Sequence, residues 1–135
     1  MKWLRTTVGV ALMAALPCLL VSCSSIDTHT IQYVGAPQFP PGDPDRVEIL
    51  RAEPKRPLDR LGEIVIDAST DPAPPIAKVE ARLRTKAAKL GADAVVVVYD
   101  RLQPVGAVVW GPYWSPSVST VTGRRLVGIA IKYKP

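Results

Sequence analysis

A chain of 135 residues has room for one domain, and 17 Lys and Arg against 12 Asp and Glu give it a net charge of +5. That excess is small and spread along the chain, which argues against a nucleic-acid surface. One histidine and two cysteines leave little for metal coordination or a disulfide framework.

Lys2 and Arg5 open the chain with a short basic region, and residues 6–21 form an apolar run without a charge. The run is short for a span that needs ~20 residues, and Pro17 disturbs a helix near its end. An uncleaved transmembrane anchor is therefore the weaker reading. The run closes on Leu20-Val21-Ser22-Cys23, a lipobox, which predicts a signal peptide over residues 1–22 and lipid attachment at Cys23. Cys18 is the rival, but Pro17 just before it blocks entry to a peptidase site. Removing residues 1–22 from 135 leaves 113. Lys2 and Arg5 go with them, so 15 basic residues face 12 acidic ones for a net +3, and Cys23 is the mature chain's only cysteine. One acyl chain holds a protein only marginally, at ~10⁴ M⁻¹, whereas two or more anchor it stably. The similarity to bacterial lipoproteins implies a diacylglyceryl thioether on Cys23, with a further acyl chain (commonly palmitate) on its amine. By the same similarity, Ser24 in place of Asp implies the outer membrane, periplasmic face.

Residues 23–45 read as the lipidated cysteine and a flexible tether, because Pro37, Pro40, Pro41 and Pro44 remove donors and oppose helix and strand. Such a tether averages roughly 25 Å if flexible and approaches ~60 Å if stiffened by proline, holding the domain off the membrane. Ile31, Tyr33 and Val34 are apolar enough for part of it to pack on the domain.

The domain is expected over 46–135, as an α+β fold with one helix on a sheet of about four strands in two layers. Strands are predicted at 46–52 and 61–68, with Ile64 and Ile66 on one face of the second and Glu63, Val65 and Asp67 on the other. Ile76, Val79, Leu83, Ala87 and Leu90 recur at helical spacing. Pro74 and Pro75 suit the first turn, Ser69, Thr70 or Asp71 can cap it, and Gly91 ends it in the left-handed region. Residues 94–98, Ala-Val-Val-Val-Val, are apolar on both faces and mark a central strand. The last strand falls at 124–133. Between them, 105–110 and 118–122 suit the arms of an extended hairpin whose tip contains Gly111-Pro112-Tyr113-Trp114.

The helix covers one face of the valine strand. The aromatic cluster Trp110, Tyr113 and Trp114 has two readings: the rings fold back to close the second face, or they meet a partner protein, a sugar face or the membrane interface. Self-association is the other way to close that face.

Catalytic motifs are not evident. His29, the only histidine, falls in the tether, where neither a catalytic triad nor a metal site can hold it rigidly. Glu63 and Asp67 lie four residues apart on one strand face, roughly 13 Å at 3.3 Å per residue. That exceeds the ~5–9.5 Å of glycosidase carboxylates. No cofactor is expected.

Leu61-Gly62-Glu63-Ile64, then Ala81-Arg82-Leu83-Arg84, then Leu90-Gly91-Ala92-Asp93-Ala94-Val95-Val96 resembles a group of small bacterial domains. The group includes the lipoprotein sensor of the Rcs envelope-stress system and the YbjQ-like oligomeric domains, some of them called heavy-metal-binding. The resemblance implies a helix on a small sheet displayed on a lipidated tether, and oligomerisation that covers the second sheet face. The Rcs sensor's disulfides and the soft ligands of a heavy-metal site have no counterpart here, so neither role carries over. Function is expected to be non-enzymatic: a binding or interaction module in the periplasm, anchored to the membrane, with an envelope protein, a glycan or a second copy as candidate partner and no nucleic acid. A cell-envelope hydrolase or cell-wall-modifying enzyme and a self-assembling structural lipoprotein are the alternatives.

Overall fold

Alternating β-branched residues build five strands, and one amphipathic helix covers one face of the sheet they form. The structure, a computed structural model, describes residues 24–70 and 72–135. Residues 1–22, expected to be a signal peptide, and Cys23 lie outside the described residues. The strands are β1 (Ile26–Gln32), β2 (Glu48–Leu50), β3 (Leu58–Ser69), β4 (Ala94–Trp110) and β5 (Ser117–Tyr133), and the helix is α1 (Ile76–Lys89). Sheet order is β1-β3-β5-β4-β2, antiparallel except where β2 runs parallel to β4. The α1 crossover joins β3 to β4, and β5 sits between those two strands in the sheet. The fold is α+β and two-layered as expected, with five strands rather than four.

The extra strand lies in what reads as a tether. Residues 26–32 pair with β3 along their whole length, from Ile26 opposite Ala68 to Gln32 opposite Gly62. Thr28, Thr30 and Ile31 are β-branched, and β3 without them would present an open edge. The prolines belong to the next segment, where they do not interrupt a strand. That segment crosses from the β1 edge to the β2 edge past the C-terminal end of the helix. The Gly42 N–H donates at 2.8 Å to the Ala88 carbonyl, which also accepts from the Gly91 N–H at 2.9 Å, so the segment is bonded to the last turn of the helix. A 3₁₀ turn, Pro44–Arg46, follows, and Val47 enters the core. Ile26–Gln32, Phe39 and Gly42 are thus tied to the sheet and helix, where a free spacer was expected.

The core under the helix joins Val79, Leu83, Ala87 and Ala88 to Leu61, Ile64, Ile66, Val95, Val97, Leu126 and Ala130. Ile76, expected on that stripe, is exposed in the first turn, and Ala88 takes a buried place instead. A bulge between Arg60 and Gly62 lets Leu61 turn inward, where it is fully buried. The helix has Pro75 as its N-cap with no side-chain hydrogen bond, so the expected capping role does not fall to Ser69 or Thr70. Ser69 Oγ donates to the Pro72 carbonyl, and Thr70 Oγ1 donates to the Thr122 carbonyl. Asp71 lies outside the described residues. Gly91 adopts φ 75°, the left-handed position its place after the helix predicts.

On the second face a smaller cluster, Ala94, Val96 and Ile131, is packed by Leu50, Leu58, Ile129 and Tyr133. Leu50 and Leu58 flank the connection between β2 and β3. Arg56 from this connection stacks on the Tyr133 ring, 3.8 Å from its centre. Part of this face remains open as a depression of about 240 Å³ lined by Tyr33, Glu53, Arg60, Val96, Val98 and Ile129, among others.

Candidate interaction surface

β4 and β5 are the longest strands, at 17 residues each, and they outrun the rest of the sheet. β2 pairs only with residues 94–96 of β4, and β3 stops at Ser69, opposite Gly123. Beyond that row the two strands continue alone, from Pro104 opposite Thr122 to Trp110 opposite Ser117. The arms expected at 105–110 and 118–122 are present, continuous with the core strands. A bulge between Pro104 and Gly106 marks where the arm begins. Pro104 is tolerated because β4 has no outer neighbour at this height.

The tip is closed by a turn in which the Ser115 N–H donates to the Pro112 carbonyl at 2.9 Å. Gly111 has φ 105°, and a β-carbon there would fall 2.9 Å from the Ser115 carbonyl oxygen. Only glycine fits this corner without strain. The Trp110 indole donates to Ser119 Oγ across the two strands at 2.9 Å, fixing the ring against the arm.

The aromatic rings do not fold back over the sheet. Trp110, Tyr113 and Trp114 sit at the far end of the arm, 60%, 98% and 85% exposed. Val108, Val109 and Val118 are exposed below them. The second sheet face is closed in part by the segment before β3, so the arm is free to project.

The base of the arm is tied by ion pairs that sequence reading misses. Adjacent arginines on β5 point to opposite faces, and each takes a carboxylate from a neighbouring strand. Arg124 grips Asp100 of β4 through Nε and Nη2, both at 2.6 Å, and Arg51 adds a contact to the same carboxylate at 3.2 Å. Arg125 grips Asp67 of β3 at 2.7 and 2.8 Å. Both are two-pronged, the strong geometry for this pair. Cross-strand register brings these residues together, and spacing along the chain does not reveal it.

Hydrogen bonds from Arg124 hold the Asp100 carboxyl below the usual carboxylate range, against the opposing effect of partial burial, with Arg51 adding to the lowering. Arg125 lowers Asp67 in the same way. A carboxyl lowered in the folded state contributes stability that is fully present above its unfolded value of about 4 and is lost as pH falls through the folded one. Asp100→Asn is therefore expected to flatten the acid limb of stability below about pH 4. Urea midpoints measured against pH check this, and an unchanged acid slope refutes it.

Of Glu63 and Asp67, the pair considered for hydrolysis, Asp67 is held by Arg125; Asp100 is likewise held by Arg124, and Asp93 by Lys132 Nζ at 2.8 Å and the Tyr133 N–H at 3.0 Å. His29 lies on β1 opposite Val65, held in the sheet rather than in a tether. Among the described residues no group of three or more His, Cys, Asp or Glu is placed to hold a metal ion, and no helix is long and apolar enough to cross a membrane.

No family model and no curated protein matches the chain. Among solved structures it is similar to a chain described as the crystal structure of a Francisella virulence factor FvfA in the orthorhombic form. The identity is 13%, the match covers 78% of this chain and 97% of that one, and the TM-score is 0.50. At that identity the likeness concerns the fold alone.

Proposed function

We propose that this protein is a lipid-anchored component of the bacterial cell envelope, attached through Cys23 to the outer membrane and facing the periplasm, whose folded part is a non-enzymatic binding module. The observation that carries the binding reading is the β4–β5 arm, with two tryptophans and a tyrosine exposed on a turn braced by glycine and proline. Monomeric surfaces rarely present such a cluster without a use for it. The lipobox Leu20-Val21-Ser22-Cys23 supports the anchor. A hydrolase reading has less support, since three carboxylates that might serve it are held by arginine, lysine or backbone.

Lipidation is tested by labelling cells with a palmitate analogue. The wild-type chain is expected to take up label and to fractionate with outer membranes, and Cys23→Ala is expected to lose the label completely. Label retained by Cys23→Ala defeats the anchor.

A further inference from the structure

We propose that the β4–β5 arm is a second membrane contact, seating its aromatic tip in the headgroup region of the same bilayer that holds Cys23. The inference rests on the lipid-anchor reading above.

Position is the first argument. Ser25 is tied to Ser69 in both directions, its N–H donating to Ser69 Oγ and its carbonyl accepting from the Ser69 N–H, each at 3.0 Å. Ser69 is opposite Gly123, and Gly123 is opposite Gln103. The chain coming from Cys23 therefore reaches the sheet at the row where β4 and β5 leave it, so anchor and arm share one end of the domain.

Length is the second. Cys23 stands two residues before Ser25, a separation of at most about 7 Å at ~3.6 Å per residue. From Pro104 to Trp110 the arm has seven residues, roughly 23 Å at 3.3 Å each. A lipid surface held that close to Ser25 falls within the arm's reach.

Chemistry is the third. From Gln103 through Gly123 there is no charged residue, in a chain with 17 Lys and Arg and 12 Asp and Glu. Arg101 stands at its base, beside Arg124 and Arg125, whose charges are paired with Asp100 and Asp67. Tryptophan and tyrosine favour the boundary between headgroups and acyl chains, and arginine favours the headgroup side. The depth is limited by the backbone. A two-stranded ribbon has two outer edges of N–H and C=O groups, which hydrocarbon cannot satisfy. Ser117, Ser119, Thr120 and Thr122 add hydroxyls along one strand. The arm thus lies in the interface and does not span.

The test uses a feature of the chain itself. Of its three tryptophans, Trp3 belongs to the signal peptide, so Trp110 and Trp114 are the only ones in the mature protein and its fluorescence reports the tip. The mature lipoprotein is reconstituted into vesicles of phosphatidylethanolamine and phosphatidylglycerol, with and without brominated acyl chains. The expected result is a blue-shifted emission that loses intensity on brominated lipid and is shielded from iodide, with Trp110→Phe and Trp114→Phe each keeping part of the signal. Water-like emission, open to iodide and indifferent to bromine, overturns the proposal. Shielding from iodide without bromine quenching, growing with protein-to-lipid ratio, overturns it in favour of a second copy; shielding that arises only in cell envelopes overturns it in favour of a protein partner. The palmitate label separates the two readings. A labelled chain with unquenched rings defeats the arm contact alone, whereas a wild-type chain that takes up no label defeats the anchor and with it the shared bilayer.

Discussion

Leu83→Ala is expected to lower the unfolding free energy by about 4 kcal/mol, near the top of the range for a buried leucine. Leu83 is fully buried at the centre of the helix–sheet interface. Its side chain sits over Gly128, where a β-carbon would come within 3.1 Å of Leu83 Cδ1 and 2.5 Å of Val95 Cγ1. The sheet has left space for this one side chain, so truncation leaves a hole with no neighbouring group on β5 to fill it. Among the described residues the helix is the main cover of this face, with Val47 and Phe39 at its margin, and a domain of this size has only about 5–15 kcal/mol in total. Urea denaturation checks the value through a lowered midpoint at constant slope. Leu83→Met, which conserves volume, is expected to cost under ~1.5 kcal/mol. Equal losses from both variants would show that shape at this position does not matter.

Gly91→Ala is expected to cost about 2–4 kcal/mol, from two sources that act together. At φ 75° an L-residue is strained by about 1–2 kcal/mol. The new β-carbon would also stand 2.5 Å from Phe39 Cβ and 2.8 Å from the Pro40 carbonyl oxygen. Neither atom is the free end of a flexible side chain, so the crossing segment must lift away from the helix end. Lifting it breaks the Gly42 N–H to Ala88 hydrogen bond and withdraws Phe39 from the core. A lowered melting temperature together with fast exchange of the Gly42 amide checks this. A variant that melts with the wild type and keeps that amide protected contradicts the tight seating of residues 37–42.

The same glycine shows what can be read from a sequence and what cannot. Its place after a helical stripe with two lysines in the last turn announces a left-handed cap. That Phe39 packs against it is not legible, because the contact joins residues some fifty positions apart in the chain. The β1 strand is hidden for a related reason. Ile26–Gln32 is edge material, mostly exposed, and alternates weakly, so its identity depends on finding β3. The proline-rich stretch that follows belongs to a crossing, and sequence reading extends its character too far back.

The arm was legible to a greater degree. Alternating valines on both sides of a glycine-proline tip predict a hairpin, and β4 and β5 form it. The sequence allows the rings either to fold back or to project. The decision depends on how far β4 and β5 outrun their neighbours. It also depends on whether another segment closes the second face, as the connection from β2 to β3 does in part.

The local regularities follow from the sequence by itself, since each depends on neighbours within a few residues. They are the helical face at 76–90, the doubly apolar valine strand, the hairpin and its tip, and the expectation of an anchor at Cys23. Tertiary structure alone decided the fifth strand, the bidentate pairs at Asp67 and Asp100, and the shared end from which arm and N-terminal segment leave the sheet. These depend on strand order and register, which arise only when distant segments compete for the same hydrogen-bonding edges.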